Sequence, residues 1–91
     1  MSDDFDGTWN VRRTGGLLPP LIGVRKQIEG DHGETRLGPF LRVPFVLSGY
    51  SLHYRKPFHG FIDLLEPDGE RIRGRATFRG REFGQFEMRQ L

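Results

Sequence analysis

The sequence predicts an all-β fold: a small antiparallel up-and-down meander barrel of six to eight strands, one domain over residues 1–91. Three observations predict it. Thirteen Gly and six Pro interrupt the chain, and no stretch carries apolar residues at helical spacing. Apolar and polar residues alternate instead, which is the period of a half-buried strand. Turn-forming residues recur at short, regular intervals, the pattern of a small barrel or sandwich.

The strands expected in order cover 8–14, 23–29, 34–47, 50–55, 60–66, 70–78 and 82–90. The long third segment should split at Gly38-Pro39, because an odd-numbered meander would close with a parallel pair. Between the first two strands lies Leu17-Leu18-Pro19-Pro20-Leu21-Ile22. It is apolar, yet two prolines make it a poor central strand.

Turn chemistry sets the expected registers. A two-residue loop at Ser48-Gly49 pairs Leu47 with Tyr50, Phe45 with Leu52 and Val43 with Tyr54. Pro44 then faces His53, and the other edge of its strand should be locally unpaired. A turn over Glu66-Pro67-Asp68-Gly69 pairs Leu64 with Ile72, Ile62 with Gly74 and Gly60 with Ala76. A turn at Gly80 pairs Ala76 with Gly84, Gly74 with Phe86 and Ile72 with Met88. These registers share one inward face and leave an Asp63–Arg73–Glu87 charge ladder outside.

Composition narrows the function. Cysteine is absent, which excludes disulfides, thiolate metal sites and thiol nucleophiles. No apolar run approaches the ~20 residues of a membrane helix. Eight Phe, two Tyr and one Trp supply a core, so disorder is not expected. The formal net charge is only +2, although twelve of the fourteen basic residues are Arg. Asp3, Asp4 and Asp6 cluster at the start, and five Arg fall between Arg71 and Arg81. No basic segment followed by an apolar run opens the chain, so the expected location is the cytoplasm.

Arg71, Arg73 and Arg75 recur every second residue, as a phosphate-binding stripe would. The register favours a cross-strand paired face instead, with Arg79 and Arg81 less obviously paired. His53 and His59 flank Lys56-Pro57, but two imidazoles fall short of a metal's ligand number. Ser51 and His53 lack an orienting acid, and Gly15-Gly16 and Gly30–Gly33 lack the other parts of a phosphate loop. The sequence therefore names no catalytic residue, metal ligand or cofactor.

The interior carries the leading expectation. Lys26 shares a face with the inward Val24 and Ile28; it either snorkels to the barrel mouth or meets the polar end of a ligand. The Gly60–Ala76–Gly84 layer, with Gly74 beside it, lacks side chains. Either Trp9 or the Leu17–Ile22 segment fills that room as core, or a ligand does.

Phe5-Asp6-Gly7-Thr8-Trp9 resembles the G-x-W opening of the calycin superfamily, the lipocalins, fatty-acid-binding proteins and avidins. The resemblance covers about ten residues. It implies an up-and-down barrel closed at one end by Trp9, with Arg89 as the positional match for the family's arginine across that Trp. It also implies an apolar segment over the barrel mouth, where Leu17–Ile22 stands, and a small apolar ligand with Lys26 or Tyr54 at its polar end. Haem would need an inward histidine, and none is expected.

The leading expectation is thus a non-catalytic binding protein for a small hydrophobic ligand. Leu18, Leu21, Lys26, Tyr54, Gly60 and Gly84 are its binding residues, and Gly7, Trp9 and Arg89 its structural signature. The alternatives are a basic module that binds nucleic acid or an acidic partner through Arg75, Arg79 and Arg81, or a solid barrel that acts by homo-oligomerisation.

Overall fold

Eight antiparallel strands close into a meander barrel in the computed structural model, which describes residues 5–91. They are β1 (Gly7–Gly16), β2 (Val24–Glu29), β3 (His32–Leu37), β4 (Leu41–Ser48), β5 (Ser51–Tyr54), β6 (Phe61–Asp68), β7 (Arg71–Phe78) and β8 (Arg81–Gln90). Each strand pairs with its sequence neighbour, and β8 returns to β1 from Trp9↔Gln90 to Gly16↔Gly84. The expected fold is the observed one. The expected third segment is split as anticipated, with Gly38 at φ +70° in the connection. Asp3 and Asp4 lie outside the described residues.

The two ends of the barrel differ. Two-residue loops at 30–31, 49–50 and 69–70 close one end, each with Gly in the left-handed region at its first position. The other end carries the longer connections 17–23, 38–40 and 55–60 and the tight Arg79-Gly80 turn.

These loops correct two registers. The β4–β5 loop is Gly49-Tyr50, so Phe45 pairs with Tyr54 and Leu47 with Leu52. This slip of two residues leaves every inward residue inward, except that Tyr50 becomes an exposed turn residue. Pro44 faces Glu34 in a continuous β3–β4 register, not an unpaired edge. The β6–β7 loop is Gly69-Glu70, with Phe61 opposite Phe78 and Asp68 opposite Arg71. That is an odd slip of three, and it exchanges the faces of β6. Leu65 and Asp63 turn inward; Ile62 and Leu64 go to the half-buried outer side. The β7–β8 register stands as expected from Ile72↔Met88 through Ala76↔Gly84.

The closed half of the barrel is solid, packed with Phe5, Trp9, Leu47, Leu52, Leu65 and Met88. Trp9 donates its indole N–H to the Phe5 carbonyl at 2.8 Å. Gly7 sits at φ +129°, where a Cβ would lie 2.4 Å from the Gln90 amide. On the outer wall Glu87 is the hub. It accepts from Arg71 at 2.9 Å and pairs with Arg89 at 3.3 Å and Arg12 at 3.7 Å. Glu66 and Asp68 take the place expected for Asp63 beside Arg73.

Candidate functional site: a half-open barrel interior

The open half of the barrel is not filled. A cavity of about 390 Å³ lies between the middle of the barrel and the apolar connections at the mouth. Val11, Val24, Val43, Phe61, Ala76 and Phe86 give it apolar walls, and Leu18, Pro19 and Leu21 cover it from above. The volume is within the range of small-molecule pockets, and an eight-stranded barrel is just wide enough for side chains or one small ligand.

The polar groups of the wall are four side chains from four strands: Lys26 (β2), Thr35 (β3), Tyr54 (β5) and Asp63 (β6). Strand alternation brings them to one level. Lys26 faces Thr35 across β2–β3, and Asp63 lies opposite Leu52, one inward position before Tyr54. The Lys26 ammonium donates to Thr35 Oγ1 at 2.8 Å and to the Tyr54 hydroxyl, and lies 3.3 Å from Asp63 Oδ2. Tyr54 donates to Asp63 Oδ2 at 3.1 Å and lies 2.9 Å from Thr35 Oγ1, whose hydroxyl hydrogen is free to be donated to it. The Lys26 nitrogen also sits over the rings of Phe45, Tyr54 and Phe86, at 5.1 to 5.6 Å from their centroids.

Counting donors and acceptors fixes what this cluster offers. An ammonium has three N–H groups, and three protein oxygens receive them. The Tyr54 oxygen is filled by Lys26 and Thr35. Asp63 Oδ1 alone has no hydrogen-bond partner among the described residues. Asp63 is 6% exposed and borders the cavity. The cluster is neutral overall, and its unused capacity is an acceptor.

Burial works against the charge on Lys26, but Tyr54 and the Asp63 carboxylate outweigh it and hold the ammonium above the ordinary lysine range. Burial also pushes the Tyr54 hydroxyl up, helped by Asp63 and opposed by Lys26. Near neutrality Lys26 is therefore a cation and not an amine nucleophile.

The sequence-derived residues divide cleanly. Leu18, Leu21, Lys26 and Tyr54 line the cavity. Gly60 and Gly84 do not. The shift in β6 leaves Gly60 in the mouth connection, where its carbonyl accepts from the Arg79 amide at 2.9 Å. Leu18 occupies the space beside Gly84, where a Cβ would lie 2.4 Å from its Cγ. Phe86 likewise covers Gly74, at 2.2 Å from a Cβ placed there. The missing side chains of that layer thus receive neighbours, and the cavity lies beside them. Lys26 does not snorkel; it is 3% exposed. Arg89 points outward to Glu87 and does not cross Trp9. Asp63 and Thr35 were missed. For Asp63 the signal was Gly69-Glu70 as the loop; for Thr35 it was the Gly30-Asp31 loop, which sets it opposite Lys26.

His53 and His59 are exposed, and His32 lies beside Asp31 and Glu29 on the surface. Arg71, Arg73 and Arg75 all have carboxylate partners, whereas Arg79 and Arg81 have none among the described residues. A second, shallower depression of about 640 Å³ lies on the outer side of β2–β4 and is lined mainly by polar residues. It is larger but unenclosed by the barrel, and Glu34 there is already taken by Arg36 and Arg42.

No family model, curated protein or solved structure matches this chain.

Proposed function

We propose that the protein binds one small, largely apolar molecule in the open half of the barrel, without transforming it. The observation that carries the reading is a cavity of about 390 Å³ with apolar walls and a single polar cluster at its inner end. Apolar pockets with a few fixed polar groups are the usual form of small-molecule sites. The polar end of the ligand is a hydrogen-bond donor such as a hydroxyl, directed to Asp63 Oδ1. A carboxylate would meet the Asp63 charge and find every Lys26 N–H already engaged.

The closed meander barrel and the Gly7/Trp9 opening support kinship with the calycins, and the outward Arg89 departs from their pattern. The arginine series reads as a paired outer ladder more than a docking stripe, since its three regular members have carboxylate partners.

The test is a titration with 1-decanol and with decanoate, followed through backbone amide NMR shifts. Decanol is expected to move the amides of Lys26, Tyr54 and Asp63, and decanoate to bind at least about tenfold more weakly, the cost of an unmatched charge. No shift with either molecule would end the ligand reading. Tighter decanoate binding would end the assignment of Asp63 as acceptor.

A further inference from the structure

We infer that the mouth of the barrel docks on an anionic lipid surface. This stands apart from the cavity and holds whether or not a ligand enters it.

Among the described residues nine large apolar side chains are exposed, and seven belong to the mouth: Leu17, Ile22, Leu37, Phe40, Leu41, Phe58 and Phe78. The other two of these nine, Tyr50 and Leu91, belong to the opposite end. Ile22 and Phe40 are 93% and 95% exposed, at the tips of two different connections. An apolar patch of this kind on a small domain marks a contact surface.

Charge follows the same axis. The mouth connections 17–23, 38–40, 55–60 and 79–80 hold no Asp or Glu. They hold Arg55, Lys56 and Arg79, and the adjoining strand ends add Arg25 and Arg81; none of the five has an ion-pair partner among the described residues. Glu82, next to Arg81, is taken by Arg75, and the opposite end carries Asp6, Glu29, Asp31, Asp68 and Glu70, with Arg71 there paired to Asp68 and Glu87. The protein is thus an electrical dipole with its apolar tips at the positive pole, and a negative surface would orient it mouth first.

A lipid bilayer with anionic headgroups matches both properties. Phosphates receive the guanidinium and ammonium groups, and the interfacial hydrocarbon receives Phe40 and Ile22. A second copy matches less well. Mouth against mouth would oppose like charges, and the acidic end offers few apolar residues to receive the tips. The outer wall carries paired charges such as Arg71–Glu87, so contact is confined to the mouth.

Vesicle co-sedimentation tests this, with equimolar phosphatidylglycerol and phosphatidylcholine against phosphatidylcholine alone. Binding to the anionic vesicles is expected to be at least about tenfold stronger and to weaken as salt is raised. The double variant Ile22→Glu/Phe40→Glu changes exposed positions only. It should lose that binding with an unchanged melting temperature, and Arg55→Glu/Arg79→Glu should do the same. Equal binding to both vesicle types would overturn the inference, as would no binding to either. So would a sedimentation-velocity dimer, without vesicle binding, that the Ile22→Glu/Phe40→Glu variant converts to monomer, because the apolar mouth would then belong to a second copy.

Discussion

A lysine inside a barrel is tolerated only when its charge is answered, and Asp63 is the residue that answers it. Breaking a buried ion pair on one side costs about 3–5 kcal/mol, because the remaining charge keeps its desolvation penalty. Asp63→Ala should therefore lower unfolding free energy by about that amount in urea titrations. The double change Lys26→Met/Asp63→Leu should cost much less, since an apolar pair of similar size removes both charges. Half of this arrangement was legible in the sequence. Lys26 was readable as inward from its parity with Val24 and Ile28, which are buried on either side of it. Asp63 was not, because its facing depends on the β6–β7 register. A hairpin loop misplaced by an odd number of residues sends every side chain of a strand to the wrong face.

At the scale of elements, the decisive signals are three Gly-x loops, at Gly30-Asp31, Gly49-Tyr50 and Gly69-Glu70. Glycine at the first position supplies the positive φ that two-residue hairpins need. The competing readings, a Ser48-Gly49 loop and a Glu66-Pro67-Asp68-Gly69 turn, follow ordinary turn preferences but put glycine at the end of the loop and not at its start. The β7–β8 hairpin turns on Arg79-Gly80, both at positive φ, and a register shift between Ala76 and Thr77 restores the Ala76↔Gly84 pairing that a turn at Gly80 predicts. Between elements, glycine makes room for a ring: Phe86 of β8 lies flat over Gly74 of β7. Gly74→Val should push that ring aside and lower stability by about 1–3 kcal/mol, the usual cost of overpacking. Adding Phe86→Leu should recover part of the loss, and equilibrium denaturation of the single and double variants measures both.

The whole molecule carries two separate titrating regions, one inside and one out. Lys26 and Tyr54 both have pKa values raised above their ordinary 10.5 and 10.0. Their contribution is complete below those values and is lost as pH rises through the folded-state ones. Glu87 behaves in the opposite sense. Some desolvation pushes its pKa up, but Arg71 and Arg89 outweigh it and hold the carboxyl below its ordinary 4.5. Its contribution is present above that value and is lost as pH falls through the lowered one. Melting temperature should accordingly hold a plateau from about pH 5 to about pH 9 and fall on both sides. Glu87→Gln should lower the plateau and flatten the acid limb, and Tyr54→Phe should lower the plateau, because a Lys26 N–H loses its acceptor, and remove the Tyr54 share of the alkaline limb. Calorimetry across this range checks all three. The barrel itself was legible in the alternation and in the need for an even strand count to close a meander. The cavity was not, because its size depends on where Leu18 and Phe86 settle.

Because β1 pairs with β8 and the strand count is even, the described chain enters β1 and leaves β8 at the closed floor, where Trp9 pairs with Gln90. A segment joined before β1 or after β8 is therefore connected to the side remote from the mouth. The molecule is in this sense a cup with its handle underneath. Held by the strand ends at its floor, it presents its rim outward, and a link between the start of β1 and the end of β8 would not cross the opening.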